Sequence, residues 1–166
     1  MKWLAILVLL SVLSGCSAPV WETVEDLQPA DAVMIQEPPY AILIGLPEQA
    51  VLVGETGDTC LYEAGELEIL TTRFQASDLE AAVRQVSGYG ADRLDILQTT
   101  RFDMPEYQFA WYSETAEGGR VYRADLVMDD MTCYAVVCST PEASGTGMEQ
   151  ARAVFATFGL SEQDSV

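Results

Sequence analysis

The feature that most limits this chain is a succession of β-rich runs separated by turns too short for a crossover. From Tyr40 onward it reads "YAILIGL" (40–46), stopped by Pro47, then "AVLVG" (50–54), the turn cluster "GETGD" (54–58), "TCLYE" (59–63) and, across "AGE", "LEILTTRF" (67–74). A second set follows: "LDILQTTRF" (94–102), "YQFAWYS" (107–113), the turn "AEGG" (116–119), then "RVYRADLVM" (120–128) and "TCYAVVCST" (132–140) around Asp129-Asp130-Met131. Strands joined by such short turns must run antiparallel, because a parallel neighbour needs a dozen or more connecting residues.

Between and after these sets the period changes. Leu79, Ala82, Val83 and Val86 recur at helical spacing. Ser77 and Glu80 have capping-box spacing, and Gly88 stands at the stop, which predicts a helix over 78–87. A second stripe, Ala151, Val154, Phe155 and Phe158, follows Thr146 and Glu149 at the same box spacing and ends at Gly159-Leu160. The expected fold class is α+β: an antiparallel sheet of about six to eight strands with two main helices packed on it. The expected domain covers 40–160, with 161–166 a disordered tail.

The residues before 40 read differently. Lys2 is followed by an apolar run, Trp3 to Leu13, broken only by Ser11. That is the length of an export signal and short of the ~20 residues a bilayer span needs. The run closes on Leu13-Ser14-Gly15-Cys16, which resembles the lipobox of bacterial lipoproteins. The resemblance implies a signal peptide over 1–15, recognition through Leu13, Ser14 and Gly15, and acylation of Cys16. The partner so implied is membrane lipid and the location the extracytoplasmic face of a cell membrane. Acyl chains, at about 0.8 kcal/mol per buried methylene, hold such a protein on the bilayer. Residues 16–39 carry prolines and scattered acids without a sustained period, as a tether does; Trp21 is the exception.

Charge excludes several functions. The formal net charge is −18, and every cation except Lys2 is an arginine: Arg73, Arg84, Arg93, Arg101, Arg120, Arg123 and Arg152. Nucleic acid needs a basic footprint, so it is not an expected partner. The chain has no histidine. That removes Ser-His-Asp and Cys-His catalysis, histidine metal ligands and histidine pH switching. An enzyme built on carboxylates or on Cys60, Cys133 and Cys138 would have to work without it, and no serine shows a base partner in the sequence.

The three cysteines after Cys16 fit no zinc spacing. An exported location permits a disulfide. Cys133 and Cys138 are five apart in one strand and point to opposite faces, so a bridge would join Cys60 to Cys138 or to Cys133; the alternative is three free buried thiols.

The remaining constellations have bland alternatives. Asp125, Asp129 and Asp130 lie near a hairpin tip but lack the calcium-loop pattern. Asp92 and Asp95 precede a strand, as solvated loop acids do. "SGYGAD" (87–92) follows a helix and so ends it; "SGTG" (144–147) precedes one, whose amides can hold an anion, but it lacks a P-loop lysine. Tyr107, Phe109 and Trp111 alternate onto one face as core does, leaving Tyr112 as the surface candidate. No metal or cofactor is expected.

The order of elements resembles the PsbP-like α/β/α sandwich, shared by the PsbP subunit of photosystem II and the Ran-binding Mog-type proteins. "YAILIGLPE" looks like the opening strand, "YEAGELEILTTRF" like the following hairpin, and residues 118–160 like the closing hairpin and terminal helix. The resemblance implies a mostly non-enzymatic family and supplies no ligand site. The expected function is a non-catalytic binding or accessory module of the cell envelope, with an unknown envelope protein as partner. The alternative is an acidic domain that captures divalent cations or a cationic ligand.

Overall fold

The computed structural model describes residues 40–116 and 118–162. The lipobox residues Leu13, Ser14, Gly15 and Cys16, the 16–39 tether and residues 163–166 lie outside the described residues.

The first set of runs forms β1 (Tyr40–Leu43), β2 (Val51–Thr56), β3 (Thr59–Ala64) and β4 (Leu67–Gln75). The helix α1 (Leu79–Ser87) and a single 3₁₀ turn (Ala91–Arg93) follow. The second set gives β5 (Leu97–Arg101), β6 (Met104–Thr115), β7 (Gly118–Asp129) and β8 (Thr132–Pro141). Helix α2 (Gly145–Thr157) and a ninth strand, β9 (Gly159–Glu162), close the fold. Seven strands make one antiparallel sheet in the order β2-β3-β4-β8-β7-β6-β5, and β1 pairs with β9 in a separate two-stranded sheet. The fold is α+β, with the two helices on opposite faces of the main sheet.

The alternation that defines a strand assigns residues to those faces. On one, Ala82 and Val83 of α1 pack with Phe109, Leu126, Cys133, Ala135 and Val137. On the other, Ala151, Val154 and Phe158 at the end of α2 pack with Leu67, Ile69, Val127, Tyr134, Val136 and Cys138. β8 is buried along nearly its whole length because it sits mid-sheet with a helix over each face.

The helix ends differ from expectation by a residue or two. Asp78, not Ser77, caps α1: its Oδ1 accepts from the Ala81 amide at 2.8 Å. Glu80 turns away from the helix start, accepting the Ala91 amide at 2.7 Å and pairing with Arg84. An ionised carboxylate is the stronger acceptor for an orphan amide, so Asp78 displaces the serine. Gly88 ends the helix at φ +78°, as expected. Helix α2 begins at Ser144, whose Oγ accepts the Gly147 amide at 3.1 Å, in place of the Thr146–Glu149 box. It ends at Phe158 rather than in a Gly159 reversal, because Gly159 is already in β9 and pairs with Leu43. The fold thus runs two residues past the expected boundary at 160, and Ser161 and Glu162 are strand rather than tail.

Two tight hairpins take left-handed backbone at non-glycine residues. Asp130 adopts φ +53° between β7 and β8, a conformation aspartate tolerates. Between β5 and β6 the chain reverses through Phe102 and Asp103 at φ +54° and +62°. β6 therefore starts at Met104, three residues before the expected 107.

Candidate functional site

Helix α2 packs over β8 and β4. The sheet continues three strands further on that face, through β7 and β6 to the edge strand β5. The helix covers only part of what lies below it. The uncovered part is a groove of about 490 Å³, walled by Arg152, Phe155 and Ala156 of α2 and floored by β5, β6 and β7. Its floor carries Leu97 and Arg101, then Gln108 and Ala110, then Arg123 and Asp125, with Asp95 at the mouth. Register places Gln108 opposite Asp125 and Ala110 opposite Arg123, so these four form one patch.

The buried end of the groove is a charged network. Glu106 and Asp125 are almost fully buried, at 4% and 2% exposure. Arg101 sits against both: its Nε donates to Glu106 Oε1 and its Nη2 reaches Asp125 Oδ2 at 3.4 Å. Its Nη1 donates to the Phe158 carbonyl at 2.8 Å, and the guanidinium lies 5.3 Å from the Phe158 ring. Arg101 therefore ties β5, β6 and β7 to the end of α2. Thr99 Oγ1 donates to Glu106 Oε2, and Gln108 Nε2 reaches Asp125 Oδ2 at 3.4 Å.

One cation between two buried carboxylates favours a single negative charge. Burial, then the hydrogen bond and charge of Glu106, push Asp125 up to about 7 against the pull of Arg101 and Gln108. Burial would raise Glu106 too, but hydrogen bonds from Thr99, Arg101 and Asp125 and the charge of Arg101 leave it below the usual carboxylate range. Asp125 Oδ1 is buried and accepts no hydrogen bond, which suits a carboxyl that carries the proton near neutrality.

The open end is cationic. Arg123 and Arg152 are exposed, and neither pairs with a described carboxylate; the ion pairs among the described residues belong to Arg73, Arg84, Arg101 and Arg120. The Arg123 guanidinium lies 5.9 Å from the Phe155 ring. Two unpaired arginines on one groove stand out in a chain of net charge −18.

The residues singled out in the sequence are dispersed by the fold. Asp125 is in the groove, while Asp129 and Asp130 are at the hairpin tip four and five residues on. Among the described residues no group of three or more Cys, Asp or Glu side chains is placed to hold a metal. Asp95 lines the groove mouth; Asp92 is an exposed residue of the 3₁₀ turn. Phe109 is core, with Tyr107 and Trp111 half-buried beside it on the α1 face, and Tyr112 is 43% exposed, its hydroxyl donating to Glu114 at 2.9 Å. Of the "SGTG" amides, that of Gly147 is taken by the Ser144 hydroxyl and that of Ser144 by the Pro141 carbonyl.

The expected bridge from Cys60 to Cys138 or Cys133 does not form: all three are free thiols. Cys60 opposes Thr71 on β4, and Thr71 opposes Val136 on β8. A whole strand separates Cys60 from either partner, roughly 10 Å at ~4.8 Å per strand, beyond disulfide reach. Cys133 and Cys138 do face opposite sides, one in each core cluster. Burial raises their thiols to about 11 and about 12, so both stay protonated and unreactive.

Sequence reasoning did not single out Arg101, Glu106, Gln108, Arg123 and Arg152. A signal existed: Asp125 stands between Ala124 and Leu126 in an apolar strand, and Arg123 shares its face at spacing two. It also missed a carboxylate beside a serine. Ser139 Oγ donates to Glu68 at 2.7 Å and accepts from Arg120 Nη2 at 3.0 Å. Ser139 is 3% exposed, so this trio ties β4, β7 and β8 together.

No family model matches the chain, and no curated protein sequence matches it. Its fold is similar to solved structures. One is a protein of Bacteroides thetaiotaomicron VPI-5482, with a TM-score of 0.52 and 8% identity over 75% of this chain. The chain spans 46% of that protein's length. Another is the cyanobacterial PsbP protein, CyanoP, of Synechocystis sp. PCC 6803, with a TM-score of 0.50 and 8% identity over 77% of this chain and 96% of that one. A third is LpqN, involved in cell envelope biogenesis of Mycobacterium tuberculosis, at 0.49 and 11% over 77% and 87%. The fold is PsbP-like. Among the described residues no helix is long and apolar enough to cross a membrane.

Proposed function

We propose that this chain is a lipoprotein held on the extracytoplasmic face of a membrane through acylated Cys16, and that its domain is a non-catalytic binding module of the cell envelope. The anchor rests on residue order: Lys2, the apolar run to Leu13, then small residues directly before a cysteine. The binding role rests on one observation, the groove beside α2. It is open to solvent, of ligand size, and edged by two arginines that pair with no described carboxylate. Arg101 bridges Glu106 and Asp125 beneath it, which ties the three floor strands together.

Mass spectrometry of the amino-terminal peptide from cells producing the full chain tests the anchor. The expected product begins at Cys16 and carries acyl chains, and Cys16→Ser releases the domain from the membrane fraction. An unmodified terminus, or a Cys16→Ser chain that stays with the membrane, overturns the reading.

A further inference from the structure

The groove beside α2 does more than offer room. Its lining holds three arginines, Arg101, Arg123 and Arg152, against two aspartates, Asp95 and Asp125. Arg101 is spent on Glu106 and Asp125. Arg123 and Arg152 are left facing the same space from floor and wall. Next to them are Leu97, Ala110, Phe155 and Ala156, exposed or half-buried apolar surface that no described element covers.

We propose that this groove binds an amphipathic monocarboxylate, its carboxylate held between Arg123 and Arg152 and its apolar body lying along Leu97, Ala110, Phe155 and Ala156. The proposal rests on the reading of the domain as a binding module and names what it binds. A guanidinium presents parallel N–H groups that match a carboxylate, and two from opposite walls can enclose one. The Phe155 ring under the Arg123 guanidinium restrains it on the α2 side of the groove. A single negative charge is favoured over a multiply charged anion. Asp95 adds a negative charge at the mouth, while Arg101 offsets the charge of the buried Glu106–Asp125 pair, so a dianionic phosphate meets more repulsion there than a single carboxylate does. A cation is disfavoured by the arginines and an uncharged chain by the cost of desolvating them. The volume of about 490 Å³ suits a small organic acid.

The groups facing Asp125 are Arg101 from β5, Glu106 and Gln108 from β6, Arg123 on its own strand and Arg152 from α2; across β8 it meets Val136. A bound carboxylate nearby favours the protonated form of Asp125, so binding strengthens as pH falls from 8 to 6 while the ligand itself stays ionised.

The test is calorimetric titration of the full chain in lipid nanodiscs, with empty nanodiscs subtracted. The probes are octanoate, octanol, octylammonium, acetate and inorganic phosphate. Octanoate is expected to saturate one site and to bind at least tenfold tighter than each of the others, more tightly at pH 6 than at pH 8. Arg123→Ala with Arg152→Ala should weaken it at least tenfold, Ala110→Trp should block it, and Arg84→Ala, on the opposite face, should leave it unchanged. Circular dichroism checks that each variant folds; if the double variant does not, the single exposed change Arg152→Gln carries the same test. No saturable octanoate binding at millimolar concentration, equal binding of phosphate or octanol, or full affinity in the folded arginine variant overturns the proposal. Those failures leave the acylated Cys16 peptide untouched, so they are distinguishable from failure of the anchored-lipoprotein reading.

Discussion

The two faces of the main sheet are made from the same strands and have opposite characters. On the α1 face, β6, β7 and β8 present Phe109, Ala124, Leu126, Cys133, Ala135 and Val137 to a nine-residue helix. Phe109, Trp111 and Tyr122 continue the apolar surface as a stack with ring centroids 5.8 and 5.2 Å apart. On the α2 face, the intervening residues of β6 and β7 are Glu106, Gln108, Arg123 and Asp125. One strand thus supplies core on one side and ionisable groups on the other, one residue out of phase. The helix that stops over β8 and β4 decides which stretch of its face becomes core and which becomes a groove.

The largest effect that could break this contrast is on stability. Leu126 is fully buried under α1, and Leu126→Ala should cost about 2–5 kcal/mol in urea unfolding. Arg152→Ala on the groove wall should change stability by less than about 0.5 kcal/mol. Equal costs would mean that the groove wall at Arg152 is core after all.

The next sharpens what the groove floor does with its proton. Asp125 is raised to about 7 in the fold from an ordinary 3.8. Its contribution to stability is therefore full below about pH 4 and is lost as pH rises toward 7, because the folded state binds the proton more tightly than the unfolded chain. Glu106 is lowered, so its contribution runs the other way and is lost in acid. Asp125→Asn keeps the shape and removes the titration. The stability of Asp125→Asn minus that of the parent should grow from pH 5 to about pH 7 and level off by pH 8, by at most about 3 kcal/mol at ~1.4 kcal/mol per pH unit. A difference that does not vary with pH would show that Asp125 is ionised throughout.

The same contrast explains what could be read in advance. The α1 face was legible because core writes itself as a period: Leu79, Ala82, Val83 and Val86 at helical spacing, Tyr107, Phe109 and Trp111 at strand spacing. The hairpin order followed from short turns, and the α+β class from the order. The groove was not legible, because its residues come from four separated elements and meet only once the strand order is known. That order puts β8 between β4 and β7, a long-range pairing no local pattern announces. β9 was hidden for a related reason: "GLSE" has little strand character and is a strand because β1 is there to pair with it. The cysteines failed likewise, since chain spacing carries no information about the strand lying between Cys60 and Cys138.

Helix α1 offers a smaller effect that tests how its face is fixed in place. Asp78 is lowered, chiefly by the hydrogen bond from the Ala81 amide and then by that from Ser77. Asp78→Ala should lower the melting temperature by a few degrees at pH 7, with the difference shrinking as pH falls below about 4 and the cap protonates. Ser77→Ala should have a much smaller effect, since Ser77 only steadies the carboxylate, through a 3.0 Å bond. The reverse order would restore the Ser77–Glu80 box that the sequence suggested.

The smallest expected change concerns the turn that sets Arg101 in the groove. Phe102 and Asp103 both take positive φ, and Phe102 is 52% exposed, so a bulky ring occupies a left-handed position without packing in return. Residues favoured in such a two-residue turn are Asn and then Gly. Phe102→Asn with Asp103→Gly should therefore stabilise the domain, by less than about 1 kcal/mol. The Arg101–Met104 pairing should persist, and with it the reach of Arg101 across the hairpin to Glu106 on the same face. Stabilisation without loss of octanoate binding would place the strain in the turn alone. Stabilisation with weaker binding would mean that the strained turn holds β5 where the groove needs it, and the α2 face would then differ from the α1 face in conformational tension as well as in charge.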